Sequence, residues 1–310
     1  MPTSISQNID KVNDRLHRAA RKAGRDTSEV TLLLASKFVD TKRIKEAISA
    51  GARVFGENYI QEAKLKIDST KRKPVNWHFI GHLQKNKVKV AVELFTMIES
   101  VDTFELASEI SKKAKTANKT VNILIEVNLA REKTKAGVDP KKIDKVIKKI
   151  SALPNLKIKG LMAIPPSVDI PERSRPYFIT LRRIAERINR ERIPGVFLKE
   201  LSMGMSSDFD IAIEEGATIV RVGTAIFGPR PPKPGVQKEA TPKEKKPVKA
   251  ETKKTTTTKA GTKKAEPKKI TPKKTTKKVS TKKVVAKKTS TKKVAPKKIS
   301  TKKTTKVKKK

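Results

Sequence analysis

The amino-acid sequence predicts a (β/α)8 TIM barrel followed by a disordered basic tail. Over the first 230 residues, short apolar runs alternate with amphipathic helical segments, and this length is common for a single barrel domain. Residues 231–310 contain no Phe, Trp, Tyr, Leu or Met, so they cannot bury enough apolar surface to offset the loss of chain entropy. We therefore divide the chain into a barrel, 1–230, and a tail, 231–310.

The barrel prediction depends on eight strand-like runs separated by helical patterns. A leading amphipathic helix is expected at 4–23. The strand-like runs lie at 31–36, 53–55, 76–80, 95–98, 121–127, 157–161, 199–202 and 218–222. Helical segments between them lie at 41–50, 59–68, 84–93, 103–117, 140–152, 172–190 and 208–215. An open doubly wound sheet is the alternative, but it more often carries a Gly-rich turn after its first strand, which is missing here.

A lysine follows the first strand-like run. Residues 31–36 carry no charge, and Lys37 follows them directly. In a barrel this position is the C-terminal end of a strand, next to the loops that form active sites. A partly desolvated amine in this place can form a Schiff base with an aldehyde. Taken alone, Lys37 is better interpreted as an ordinary solvated lysine in a lysine-rich chain, and only the motifs further along change that interpretation.

Polar residues follow the second and third strands. Asn58 comes after the second, where it faces the barrel mouth or simply caps the next helix. His82 lies on the loop after the third strand, and we include it among the candidate ligand-binding residues. His78, within that strand, is better explained as a core histidine.

Small and hydroxylated residues follow the seventh and eighth strands: Ser202, Gly204, Gly223 and Thr224. Barrels often bind phosphate in this place. Together with Lys37, these residues indicate a phosphorylated ligand that carries an aldehyde, and pyridoxal 5′-phosphate (PLP) fits that description. Arg221 on the eighth strand would face the ring, where a permanent cation keeps the pyridine nitrogen unprotonated.

Five segments resemble the signature blocks of the pyridoxal phosphate homeostasis protein family, which are small relatives of the alanine racemase barrel. The segments are 35–37, 55–62, 77–87, 160–165 and 201–228. The resemblance implies a fold type III PLP-binding barrel. It also implies that Lys37 holds the cofactor as a Schiff base, that Ser202, Gly223 and Thr224 hold its phosphate, that Arg221 faces the ring nitrogen and that Asn58 contacts the ring. Residues 37–40 depart from the family's usual continuation, and the tail has no counterpart in the usual member.

The resemblance leaves two functions open. One is a carrier without catalytic residues, which buffers PLP in the cell and delivers it to apo-enzymes. The alternative is an amino-acid racemase, which needs a base on each face of the substrate. In the alanine racemases the second base is a tyrosine from an additional C-terminal domain, and this chain has only Tyr59 and Tyr177 and ends in a lysine tail. We therefore expect the carrier, as a monomer.

The composition excludes several other classes of protein. There are no cysteines and only three histidines, so we expect no disulfide and no metal site. No stretch approaches the roughly 18 apolar residues of a transmembrane helix, and the N-terminus lacks the apolar core of a signal peptide. The expected location is the cytoplasm.

The tail has a charge pattern of its own. It holds 31 Lys and four Glu, a net charge of +27 out of +43 for the whole chain. Lysine doublets recur about every five residues, a spacing that resembles the tails of linker histones and bacterial histone-like proteins and matches neither helix nor strand. We expect nonspecific electrostatic binding to nucleic acid, with association to the nucleoid, and an anionic membrane surface as the alternative.

Overall fold

The computed structural model describes residues 3–71, 73–132 and 134–229. Its eight strands form a closed parallel barrel in sequence order, with β8 paired to β1. The strands are β1 (Thr31–Ala35), β2 (Val54–Glu57), β3 (Asn76–Phe79), β4 (Met97–Val101), β5 (Val121–Glu126), β6 (Leu156–Met162), β7 (Glu200–Ser202) and β8 (Ile219–Val222). The predicted (β/α)8 barrel is confirmed, whereas the predictions for 231–310 lie outside the described residues.

Helices follow the strands and cover the outside of the barrel. They are α1 (Ile5–Lys22), α2 (Thr41–Ser49), α3 (Ile60–Thr70), α4 (Val88–Leu94), α5 (Phe104–Thr116), α6 (Ile143–Ser151), α7 (Arg175–Arg190), α8 (Phe209–Glu214) and α9 (Thr224–Phe227). Short 3₁₀ turns lie at 27–29, 85–87 and 171–174. None of the helices in the described ranges combines the length and the hydrophobicity that a membrane-spanning segment requires.

Helix α1 precedes the barrel and packs against its last two helices, α8 and α9. Ser4 and Gln7 form a capping box at its start, and apolar residues at helical spacing bury one face. On that face the Asn8 side chain donates a hydrogen bond of 2.9 Å to the Ile226 carbonyl. The helix therefore fixes α9, which begins at Thr224, against the rest of the domain.

The inside of the barrel has an apolar layer below a polar one. Leu33, Ile80, Leu124, Met162 and Ile219 pack together in the interior. Glu126 and Arg221 follow two of these residues by two positions on β5 and β8. They therefore project from the same face of their strands, one layer nearer to the C-terminal ends.

Two strands run further than the sequence predicted. The expected ends were residues 55 and 98, but β2 continues to Glu57 and β4 to Val101. A charged residue argues against a buried strand, yet Glu57 and Glu99 are fully buried. Glu57 is paired with the buried Lys66 on α3. Glu99 is hydrogen-bonded to His78 and to Ser202, and the charge of Arg221 also favours its ionised form. These contacts make a carboxylate tolerable inside the barrel.

Candidate functional site

A cavity of about 270 Å³ opens at the C-terminal ends of the strands. Five of the seven residues predicted from the sequence line it: Lys37, Asn58, Arg221, Gly223 and Thr224. The other lining residues are Ala35, Ile80, Ile164, Met205, Ser206 and Ser207. Residues that are far apart in the chain thus meet in one small-molecule-sized space, at the end of the barrel where active sites lie.

Lys37 lies two residues beyond the end of β1. It is half-buried, and it lines both the main cavity and a smaller one beside α9. The next residue, Phe38, has a φ of 63°, a left-handed conformation that is unusual for a bulky side chain. The chain therefore turns at Phe38, directly after Lys37, and the Lys37 side chain lines the cavity.

Asn58 carries an unsatisfied polar atom at this site. Its Oδ1 is buried and has no hydrogen-bond partner. The backbone of Asn58 is packed against Gly81, where a Cβ would lie only 2.4 Å from the Asn58 carbonyl oxygen. A buried acceptor without a donor is costly, so this atom suits a ligand that donates a hydrogen bond.

The hydroxyl groups near α9 come from a segment after β7. Ser206 Oγ accepts hydrogen bonds from the backbone N–H groups of Gly223 and Ala225, both at 3.3 Å. Thr224 lies between them and begins α9. At Gly223 a Cβ would lie 3.1 Å from the Ala35 carbonyl oxygen, so a side chain there would crowd β1. Together these residues line one end of the cavity with small polar groups.

Ser202 lies elsewhere than the sequence analysis expected. It is fully buried and does not line the cavity. Its hydroxyl donates to Glu99 Oε2 at 2.5 Å and accepts from an Arg221 guanidinium nitrogen at 2.7 Å. Both roles of the hydroxyl are therefore used inside the protein, and Ser206 and Ser207 take its place at the cavity.

Arg221 is held from behind by a buried network. A second guanidinium nitrogen donates to the Ala163 carbonyl at 2.9 Å, and Glu99 is linked to His78 Nδ1 at 2.6 Å. Burial lowers the pKa of Arg221, against the opposing charges of Glu99, Glu126 and Asp208. Burial alone would raise the pKa of Glu99, but His78, Arg221 and Ser202 together bring it below its usual value. Glu99 is therefore linked to Arg221 through the Ser202 hydroxyl, and the negative charge of Glu99 favours the charged form of Arg221.

His82 lies in a neighbouring cavity rather than with Lys37. This second space has a volume of about 310 Å³ and also contains Tyr59 and Lys87. Asn58 is the residue that both cavities share. The structure therefore separates His82 from the group formed by the other predicted residues.

A buried lysine behind the site was missed by the sequence analysis. Lys66 on α3 is 3% exposed and is paired with Glu57 at 2.7 Å and Glu62 at 2.6 Å. Burial raises the pKa of Glu57, although the charge of Lys66 opposes that shift. A buried i, i+4 Glu–Lys pair looks the same in the sequence as a solvated one, so only the packing distinguishes them.

The cavity suits PLP in the chemistry of its lining. It provides an amine that could bond the aldehyde (Lys37), an unsatisfied acceptor (Asn58 Oδ1), a guanidinium (Arg221) and hydroxyls that could hold a phosphate (Ser206 and Thr224). The class of this closed parallel barrel, which has a lysine just after its first strand, follows from the family that matches it. The family described as alanine racemase, N-terminal domain, matches residues 7–231.

Comparison with individual relatives identifies the family within this class. The pyridoxal phosphate homeostasis protein of Aquifex aeolicus is 45% identical over 224 residues, 72% of this chain and 97% of that protein. The protein of the same name from Pseudomonas aeruginosa is 40% identical over 228 residues, with coverages of 74% and 96%. The structure of PipY from Synechococcus elongatus with PLP bound is similar at a TM-score of 0.62 and 36% identity, covering 69% of this chain and all of PipY. The chain belongs to the pyridoxal phosphate homeostasis protein family.

Proposed function

We propose that this protein binds PLP at the C-terminal end of its barrel and takes part in PLP homeostasis, as a carrier rather than an enzyme. The observation that carries the proposal is that Lys37, the unsatisfied Oδ1 of Asn58 and Arg221 line one cavity of about 270 Å³. The relatives named above support it, since two are named for PLP homeostasis and PipY was solved with PLP bound.

Each lining residue has a role that follows from its chemistry. The cofactor supplies an aldehyde that condenses with an amine, and Lys37 provides that amine. Ser206, Gly223 and Thr224 bind the phosphate at the start of α9. Asn58 accepts a hydrogen bond from a ring substituent. Arg221 places a permanent positive charge at the ring and disfavours a proton on the pyridine nitrogen, which weakens the ring as an electron sink.

The lining of the cavity favours a carrier over a racemase. Racemisation requires a base on each face of the substrate carbon. All of the lining residues belong to the described part of the chain, and among them Lys37 is the only side chain suited to act as a base. Tyr59 lies at the neighbouring cavity instead, and Tyr177 is on α7. The PLP held here would then be available for transfer to apo-enzymes.

An absorbance measurement tests the cofactor assignment. The purified full-length protein, loaded with PLP and desalted, should absorb at about 420 nm, and borohydride should fix the cofactor on Lys37. The Lys37→Ala variant should lose both signals. Lys45→Ala, at an exposed position on α2, is the matched control and should keep them. Labelling of another lysine in the wild type would refute the assignment.

The choice between carrier and racemase has its own test. The loaded wild-type protein should not interconvert the enantiomers of alanine or serine at the 1–10³ s⁻¹ that is roughly typical of enzymes. It should, however, restore the activity of an added PLP-dependent apo-enzyme. Racemisation at such rates would overturn the carrier assignment and leave the assignment of the cofactor site intact.

The charge of the tail supports a second proposed function, the binding of nucleic acid by residues 231–310. The segment carries a net charge of +27 without an aromatic residue that could stack on bases. Fully extended, it reaches roughly 270 Å, so it can contact many phosphates without constraining the barrel. Binding of this kind is driven by counterion release and does not depend on base sequence. It would keep the barrel close to the nucleoid.

Gel shifts with unrelated duplexes near physiological salt test this proposal. The full-length protein should bind each duplex equally, with a log–log salt slope of about −0.9 per phosphate neutralised. A truncated protein that ends at residue 230 should lose most of the binding but keep its cofactor absorbance. Equal binding by both proteins, or by neither, would show that the tail is not a nucleic-acid anchor. A strong preference for one duplex would contradict the nonspecific mode.

A further inference from the structure

A buried ammonium group lies directly behind the strand end that carries Lys37. Lys66 Nζ donates hydrogen bonds to the Ser36 carbonyl at 2.6 Å, to Glu57 Oε1 at 2.7 Å and to Glu62 Oε1 at 2.6 Å. An ammonium group has three N–H donors, so all of them are used. The Lys66 side chain is 4% exposed. Burying a charge in this way is costly, so its presence beside Lys37 indicates a specific role.

The contacts of this network fall on both sides of Lys37. The Ser36 carbonyl, which accepts from Lys66, belongs to the peptide group before Lys37. The Phe38 N–H, which donates to Glu62 Oε1 at 2.6 Å, belongs to the peptide group after it. The two backbone dihedral angles of Lys37 lie between these peptide groups. Fixing both groups therefore fixes the direction in which the Lys37 side chain leaves the backbone.

The network is itself anchored to the barrel. Glu57 is the last residue of β2, is fully buried, and accepts a second hydrogen bond from Ser36 Oγ at 2.6 Å. Glu62 and Lys66 lie one turn apart on α3. A strand and a helix thus hold one short segment of backbone, in which Phe38 adopts its unfavourable left-handed conformation.

We propose that Lys66 and Glu62 are positioning residues, which hold Lys37 in the orientation needed to bond the aldehyde of PLP. The inference rests on the proposed role of Lys37. Glu57, Glu62 and Lys66 do not line the Lys37 cavity. The contacts that join Lys66 and Glu62 to the cavity are those with the backbone of the segment 36–38.

Glu62→Ala is the variant that tests the inference most cleanly. Glu62 is 24% exposed and Phe38 is half-exposed, so water can take the place of the lost carboxylate. Lys66 keeps its contacts with Ser36 and Glu57. We expect the apo-protein to unfold within about 2 °C of the wild-type temperature, which corresponds to at most about 1 kcal/mol for a domain of this size. Its cofactor should dissociate about tenfold faster, with a smaller fraction fixed on Lys37 by borohydride.

Two further variants separate a positioning role from a purely structural one. Glu62→Gln keeps an acceptor oxygen for the Phe38 N–H and should restore most of the slow dissociation. Asp68→Ala removes an exposed carboxylate from the same helix and should behave as the wild type. The pH at which the absorbance of the bound cofactor changes should shift more in Glu62→Ala than in Glu62→Gln, because both variants lose the charge of Glu62 and only Glu62→Ala loses the acceptor for the Phe38 N–H.

The possible outcomes distinguish this inference from the proposed function. If the wild type forms no adduct at Lys37, the proposed cofactor site is wrong. If the wild type forms the adduct and Glu62→Ala matches Asp68→Ala, the positioning role alone is wrong. A lower unfolding temperature of the Glu62→Ala apo-protein, with unchanged dissociation of the cofactor, would also overturn it, since the network would then be structural. Failure of Glu62→Gln to restore binding would refute the hydrogen bond to Phe38 as the cause.

Discussion

Replacement of Glu126 by glutamine should make the protein more stable at alkaline pH. Glu126 ends β5 and faces the barrel interior. Burial raises the pKa of its carboxyl group to about 7; the negative charge of Asp102 adds to the shift and Arg221 opposes it. A neutral amide of the same shape would remove the need to ionise a group in this position, so we expect Glu126→Gln to have little effect in acid and a stabilising effect in base.

The magnitude and the sign follow from the pKa in the two states. Between the ordinary value of 4.5 and about 7, the folded protein retains a proton that the unfolded chain releases. The stabilisation that this proton provides is complete below pH 4.5 and is lost as the pH rises to about 7. A shift of this size corresponds to about 3 kcal/mol. The stability difference between Glu126→Gln and the wild type should therefore grow by about 3 kcal/mol over that range and then stay constant.

Urea denaturation of the two cofactor-free proteins at several pH values between 4 and 8.5 measures this difference directly. Subtracting one protein from the other removes the contributions of the other titrating groups, including Glu57 and Glu99. Glu105→Gln, on the outer helix α5, is a control that should show no such growth. A difference that is independent of pH, or that shrinks as the pH rises, would refute the assignment of a raised pKa to Glu126.

The remaining predictions concern the cofactor contacts. Ser206→Ala and Thr224→Val should each weaken PLP retention by about 1–3 kcal/mol and leave the binding of pyridoxal unchanged. Competition between the two compounds measures this difference. Equal affinity of the wild-type protein for both compounds would contradict a phosphate site. Ser202→Ala should instead lower the free energy of unfolding by about 1–3 kcal/mol and keep the preference for the phosphorylated form. Arg221→Ala should alter the absorbance spectrum of the bound cofactor more than the retention of its phosphate, and an unaltered spectrum would place Arg221 away from the ring.

The barrel could be predicted because its signals are local. Each strand is a short apolar run, and each helix carries apolar residues at a spacing of three or four, as in α1. The places of Lys37 and Thr224 at the cavity could be predicted for the same reason, since each follows a recognisable strand and the barrel topology brings strand ends together. In a (β/α)8 barrel the strands lie in sequence order, so their arrangement follows once the eight strands are recognised.

The residues that were missed or misplaced share a different property. Glu99 and Ser202 are polar residues whose partners come from other elements, and they are themselves separated by 103 residues in the chain. No pattern within a window of the sequence records such a pair. Lys66 has acidic partners close in sequence, but its burial depends on the packing of α3 against the barrel. Ser202 and Ser206 are also too close in sequence to be told apart by position alone: one lies inside β7 and the other in the loop that follows.

Buried carboxylates explain how the barrel holds one cation at the cavity, Arg221, and another behind it, Lys66. The charge of Glu99 opposes that of Arg221 through Ser202, and Glu57 is paired directly with Lys66. Neither carboxylate lines the cavity. A buried cation alone would be expensive, whereas a cation with a buried carboxylate and further hydrogen bonds is tolerated. The guanidinium of Arg221 is held by hydrogen bonds to Ser202 and to the Ala163 carbonyl, both of which belong to the protein itself. The site is thereby preorganised, and the binding of PLP does not have to supply the energy of ordering these side chains.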